Sequence, residues 1–288
     1  MKANQAMSAG NTRLLVLFLV VMTVLALGPV LSHASVFWDD EMEEGASEFS
    51  TAYMASTLIP QGTMAYDINV KFSGRGSIRL NYPAACKTTT TQNQCGGSAT
   101  RKFPLTDTVW KRVYFRMSGT GPNPTSSGVF ETAPTAFTKM LKGQSLVVNN
   151  ITARYWWDMG CCGSKSFEQS QENVPSPGHT TSLHANFTFT DNIWYCIETH
   201  EQMNTPGAAN GISEAWIDGR KVAGVYNVMW QQAESALQWS EFSIFRQIGA
   251  GNIWWDRFAA GDTRIGCLGA TTASDTTRPG PPHGLTAR

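Results

Sequence analysis

GISEAWIDGRKVAGVY (Gly211–Tyr226) decides the fold class. Apolar and polar residues alternate on both sides of Asp218-Gly219, the dipeptide a tight hairpin turn prefers because both central residues need positive φ. The stretch predicts two antiparallel strands, Gly211–Ile217 and Lys221–Tyr226. Similar short alternating runs recur along the chain, separated by Gly, Pro, Asn and Asp. They are Gly76–Tyr82, Thr108–Ser118, Ser145–Trp157, His184–Phe189, Trp194–Glu201, Phe242–Ile248 and Ile253–Ala259. Strands at this density predict an all-β, two-sheet antiparallel sandwich or jelly roll. A short helix is expected only in Gln231–Leu237.

The beginning of the chain reads differently. Lys2 and Arg13 precede an unbroken apolar run, Leu14–Leu27, which Gly28-Pro29 interrupts before Ser32-His33-Ala34. This is the charged, apolar, small-residue layout of a secretory signal peptide, with cleavage expected after Ala34. Residues 35–270 then form the sandwich, and Thr271–Arg288 is a Pro/Thr-rich tail. The expected location is secreted, periplasmic or cell-surface, with no stable membrane insertion after cleavage. Removing residues 1–34 takes two of the 22 Lys+Arg and none of the 22 Asp+Glu, leaving a formal charge of −2. Such a balance argues against a nucleic-acid partner, which calls for a basic excess.

All six cysteines follow residue 34: Cys86, Cys95, Cys161, Cys162, Cys196 and Cys267. In an exported chain an even number predicts disulfides. Cys86–Cys95 is the expected pair, closing a polar loop. Cys161 and Cys162 are adjacent and are expected to face different partners, with Cys196 and Cys267 the candidates.

Neighbouring residues of a strand point to opposite faces. In Thr108–Ser118 the core face takes Val109, Val113, Phe115 and Met117, with Lys111 near the entrance. Trp110, Arg112, Tyr114 and Arg116 face the other way. The same reading puts Ile78, Leu80, Tyr82, Tyr195, Ile197, Thr199, Ala215 and Ile217 in the core. A second face then collects Arg79, Arg112, Tyr114, Arg116, Glu198, His200, Glu214 and Trp216. Aromatic rings stack on sugars and arginine forks hold carboxylates, so this face is a candidate groove for an acidic polysaccharide. It can equally be a solvated face whose Arg112 or Arg116 pairs with Glu198 or Glu214.

WYCIETHE (Trp194–Glu201), AWIDGRK (Ala215–Lys221), IWWDRFAAGDTRIG (Ile253–Gly266), GSIRL (Gly76–Leu80) and RVYFR (Arg112–Arg116) resemble strands of concanavalin-A-like jelly-roll domains of the polysaccharide-lyase or LamG-like type. The Gln-Ile-His and Tyr-Phe-Lys strands of the alginate-lyase members are absent. The resemblance implies a polysaccharide partner, and the chemistry of the residues on the second face allows three activities. The first is β-elimination on a uronic-acid polymer, with His200 as base, Tyr114 as acid and Arg112 on the carboxylate. Arg79, Arg116, Glu198, Glu214 and Trp216 would then bind substrate. Hydrolysis by Glu198 and Glu214 and binding without catalysis are the alternatives. No cofactor is assigned beyond a candidate structural calcium. The acidic cluster Asp39-Asp40-Glu41 and Glu43-Glu44 is a candidate for structural Ca²⁺, which favours clustered oxygens, or a solvated terminus. Asp256, between Trp255 and Arg257, is expected to be a buried ion-pair partner.

Overall fold

The computed structural model describes residues 35–41, 54–56, 63–83, 86, 97–119, 129–131, 138–148, 152–160, 164–172, 183–232, 236–246 and 249–268. The chain divides into two units, Met1–Ala34 and Ser35–Arg288, and all described residues belong to the second. The expected signal peptide and tail lie outside them. Among the described residues no helix is long and apolar enough to cross a membrane.

Fifteen strands are described: β1 (Val36–Asp40), β2 (Met54–Ser56), β3 (Thr63–Asp67), β4 (Ser77–Tyr82), β5 (Gly97–Thr106), β6 (Thr108–Ser118), β7 (Thr138–Ser145), β8 (Arg154–Met159), β9 (Ser166–Glu172), β10 (Leu183–Thr188), β11 (Tyr195–Gln202), β12 (Gly211–Ile217), β13 (Arg220–Val228), β14 (Trp239–Arg246) and β15 (Gly251–Gly261). Sheet A runs β13-β12-β11-β6-β15-β4-β3, with β1 also paired to β15. Sheet B runs β10-β9-β8-β7-β14-β5-β2. Every pairing is antiparallel. The two sheets face each other across one apolar core, the jelly-roll sandwich that the alternation predicts. The Asp218-Gly219 turn has φ of 50° and 79°, so both central residues are left-handed as the hairpin requires.

Two local expectations are corrected. Ser145–Trp157 is not one strand: β7 ends at Ser145 and β8 begins at Arg154. The Ser145 hydroxyl, which accepts the Ala153 N–H at 2.9 Å, joins the two ends. The helix over Gln231–Leu237 is also not seen in its described residues: the Gln231 side chain instead accepts the Leu237 N–H at 2.7 Å.

The inward-facing residues are as expected on β4, β6, β11 and β12, with one exception. Lys111 is not near an entrance but 2% exposed between the sheets, paired with Glu201. Glu201, fully buried, also accepts the Tyr155 hydroxyl at 3.0 Å and the Trp157 indole N–H at 3.1 Å, both from β8 of the other sheet. The Lys111 ammonium lies 4.3 Å from the Tyr155 ring centre. Burial pushes this lysine down from its ordinary pKa, and the Glu201 charge opposes that shift. Removing one partner strands a charge in the core. Lys111→Met is therefore expected to cost about 3–5 kcal/mol, and Lys111→Met with Glu201→Leu less than that; urea unfolding of the two variants measures both.

Candidate functional site

The predicted residues do share one face of sheet A. Across β6 and β11, Tyr114 stands opposite Cys196, Arg112 opposite Glu198 and Trp110 opposite His200. Across β11 and β12, Glu198 is opposite Trp216 and His200 opposite Glu214. Arg116 and Arg79 both stand opposite Trp254 of β15, on its two sides.

The chain itself covers much of this face. After β15 the segment Asp262–Leu268 crosses it as a strap. Glu198, 1% exposed, accepts the Gly266 N–H at 2.7 Å and Arg264 Nη2 at 3.0 Å. Arg112, 2% exposed, donates to Asp39 at 2.6 Å and to the Gly266 carbonyl at 3.4 Å. The Tyr114 hydroxyl accepts the Leu268 N–H at 2.6 Å, and its ring stacks under Phe72 at 3.7 Å. The Arg264 guanidinium lies 4.7 Å from the Trp216 ring centre. A Cys196–Cys267 disulfide fixes the strap to β11. These two cysteines pair with each other, so neither is the partner expected for Cys161 or Cys162. Cys86 is buried and disulfide-bonded, while Cys95, Cys161 and Cys162 lie outside the described residues.

The ion pairs differ from those alternation suggested. Arg112 pairs with Asp39, Glu198 with Arg264, and Arg79 with Asp67 at 3.4 Å. Arg116 donates to the Asn192 side chain at 3.0 Å and lies 5.0 Å from the Trp254 ring centre. Among the described residues Asp256 forms no salt bridge, and Arg257 reaches Glu41 at 2.8 Å. The Asp256 carboxylate accepts the N–H groups of Phe72, Ser73 and Arg257, tying down the loop that carries Phe72. Burial pushes this carboxyl up to about 6, and the three N–H bonds offset it only in part.

In the acidic cluster, Asp39, Asp40 and Glu41 go to three different arginines, Arg112, Arg101 and Arg257. Among the described residues no group of three His, Cys, Asp or Glu side chains is placed to hold a metal ion. Glu43 and Glu44 lie outside them.

At the β13 side of the same face a second network forms. His200 stacks on Trp110 with ring centres 4.2 Å apart, and its Nδ1 lies 2.8 Å from Glu214. The other Glu214 oxygen accepts Lys221 and the Tyr226 hydroxyl. Burial pushes the Glu214 carboxyl up, but the bonds from His200, Lys221 and Tyr226 outweigh it and hold the group at about 2.

The sequence reading does not single out the outer face of sheet B. There β7, β8 and β9 align Lys139, Asp158 and Glu168 as successive cross-strand partners, with His184 of β10 in register beyond Glu168. The adjacent row holds Ser170, Trp156, Lys142, Ser243 and Thr100. Lys139 lies 4.2 Å and Lys142 5.8 Å from the Trp156 ring centre. Lys142 also pairs with Glu241 at 3.4 Å, and Ser170 donates to Asp158 at 2.7 Å. The available signal is the alternation of RYWWDM (Arg154–Met159), which sends Tyr155, Trp157 and Met159 inward and Trp156 and Asp158 outward.

No family model matches the chain, and no curated protein matches it. Solved structures do. The cellulose-induced protein Cip1 superposes with a TM-score of 0.53 at 16% identity, over 80% of this chain and 99% of its own. An endo-β-1,4-glucuronan lyase from the fungus Trichoderma reesei gives 0.50 at 13% identity, over 80% and 96%. The alginate lyase vAL-1 from a Chlorella virus gives 0.53 at 12% identity, over 80% and 100%. The fold is the jelly roll these proteins share.

Two outcomes follow from the sheet A geometry. Cys267→Ser is expected to cost about 2–4 kcal/mol and to open the bond after Arg264 to trypsin; persistent resistance there would mean that the strap holds without its disulfide. Glu214 is depressed in the folded state, so its stabilisation is present above the ordinary carboxylate pKa of 4.5 and is lost as pH falls toward about 2. Unfolding free energies measured from pH 5 to pH 2 should fall by an amount on the order of 3 kcal/mol more in the native protein than in Glu214→Gln.

Proposed function

We propose that this is an extracytoplasmic protein that binds an acidic polysaccharide through the outer face of sheet B. The observation carrying this reading is the pair of lysines set over Trp156. Two ammonium groups held by one indole ring present fixed positive charge, which suits the carboxylates of successive uronate units. Ser170 and Thr100, both part-exposed, add hydroxyls for sugar hydroxyl groups, while Asp158 and Ser243, each 1% exposed, and Glu168 lie buried beneath them. Side chains on neighbouring strands stand about 5 Å apart and those two apart on one strand about 7 Å, spacings that a sugar unit bridges. The expected secretory signal places such a face among glycans.

Of the residues first assigned to catalysis, Arg112 and Tyr114 fit a structural task better. Arg112 and Tyr114 bind the strap, and a polymer could reach them only by displacing it. On this reading Glu198 and Trp216 also hold sheet A's own covering, while Arg79 and Arg116 are held by Asp67 and Asn192.

A lyase activity is the second reading. It is favoured by the likeness to proteins described as glucuronan and alginate lyases. In β-elimination a cation must neutralise the uronate carboxylate while a base takes the neighbouring proton. Lys139 or Lys142 suits the first part, and Glu168, the less buried of the two carboxylates, the second.

Titration of residues 35–288 with alginate and glucuronan is expected to show saturable binding that weakens at least about tenfold in Lys139→Ala and in Lys142→Ala, the effect of losing one charge-assisted contact. Absorbance near 235 nm, rising as polymer is consumed, would add lyase activity. Binding unchanged in both lysine variants would place the glycan elsewhere.

A further inference from the structure

The network at the β13 side of sheet A has the connectivity of a hydrolytic triad. The Thr108 hydroxyl is 3.1 Å from His200 Nε2, and His200 Nδ1 is 2.8 Å from Glu214 Oε2. The three residues come from β6, β11 and β12, neighbouring strands of one sheet. Thr108 is half-buried at the first position of β6, whereas His200 is 8% exposed and Glu214 likewise 8%. Lys221 and Tyr226 of β13 grip the second Glu214 oxygen, which leaves Oε2 aimed at the imidazole. An ionised Glu214 takes the proton-bearing Nδ1, so Nε2 carries a lone pair toward the Thr108 hydroxyl. That is the tautomer a general base needs. Trp110, flat against the imidazole at 4.2 Å with a 7° tilt, fixes the ring plane.

A cavity of about 610 Å³ lies at this end of sheet A, with Thr108, His200 and Glu214 next to its lining but not part of it. Asp107, which precedes Thr108 in the chain, and Gln202, its Cα partner across β6 and β11, are both in its wall. The rest of the wall includes Asn204, Thr205, Gln231 and Gln238, side chains suited to hydroxyl groups rather than to a fatty chain.

We infer that Thr108, His200 and Glu214 form an acyl-transfer site that hydrolyses small acyl esters of hydroxyl-rich compounds. The site stands on the sheet opposite the proposed glycan face and does not depend on that reading. Thr108 Oγ attacks the ester carbonyl carbon and gives its proton to His200 Nε2. The imidazolium returns that proton to the sugar oxygen as its bond to the acyl carbon breaks. Water then attacks the acyl-threonine, passing a proton to His200, and the carboxylic acid leaves as Thr108 is regenerated. Gln202, on the same face as Thr108, offers an amide donor to the developing oxyanion. Thr108 and His200 are the catalytic residues; Glu214 is a positioning residue.

The test uses residues 35–288 with 4-nitrophenyl acetate and, separately, a fluorophosphonate that traps activated hydroxyls. Hydrolysis above the buffer rate is expected, falling at least about 100-fold in Thr108→Val and in His200→Asn and retained in Thr108→Ser, which keeps the hydroxyl. The fluorophosphonate is expected to modify Thr108, located by peptide mass. Native protein that leaves Thr108 unlabelled, or that hydrolyses the ester no faster than folded Thr108→Val, overturns the inference. Should Thr108→Val fail to fold, the labelling of the native protein decides alone. Both probes are small, so their outcome is independent of whether a polymer binds sheet B.

Discussion

A buried charge pair between the sheets sets the frame for everything outside them. Lys111 and Glu201 sit where an all-apolar sandwich would place two hydrocarbon side chains. Tyr155 and Trp157 reach across from sheet B to satisfy the same carboxylate. A one-residue slip of β6 or β11 would move a charge outward and leave its partner stranded inside. The pair therefore specifies which residues of β6 face in, and by alternation sends Trp110, Arg112, Tyr114 and Arg116 out. It also pins β6 and β11 to β8, the strand that carries Trp156 and Asp158 on its far side.

The two outer faces so produced have different fates. On sheet A, Glu198 and Tyr114 accept backbone N–H groups of the strap, Arg112 donates to one of its carbonyls, and the Cys196–Cys267 disulfide holds it there. The polar groups that make this face look like a ligand groove are satisfied by the chain's own covering. On sheet B, the central strands carry lysines, carboxylates and a tryptophan in cross-strand register. Opposite charges there sit on neighbouring strands, with Lys139 beside Asp158, as cross-strand pairing favours.

The sandwich was legible because most strands of sheet A alternate cleanly. In β6 every inward position except Lys111 is apolar, and the Asp218-Gly219 turn fixes its hairpin. The strands of sheet B were harder to read. In SFEQSQE (Ser166–Glu172) the inward residues include Gln169 and Gln171, both buried, so polarity no longer distinguishes the faces. In TKMLKGQS (Thr138–Ser145) a register shift between Lys139 and Leu141 turns both Met140 and Leu141 into the core, which breaks the period of two. The shared face of the eight predicted residues was legible for the same reason as β6. Its covering was not, because DTRIGCL (Asp262–Leu268) has no periodicity of its own and is placed by contacts made far along the chain. The partners of Arg112 and Glu198 are Asp39 of β1 and Arg264 of the strap, at separations of 73 and 66 residues.

The central claim is that sheet A's outer face around Arg112, Tyr114 and Glu198 is closed by its own chain while sheet B's outer face meets the polysaccharide. Amide hydrogen exchange with and without a saturating uronate oligosaccharide tests it most directly. The account predicts slowed exchange in 138–145, 154–159 and 166–172, with 108–118, 195–202 and 262–268 unchanged. Slowed exchange confined to the second set, or a strap that becomes more exchangeable as the sugar binds, would contradict it.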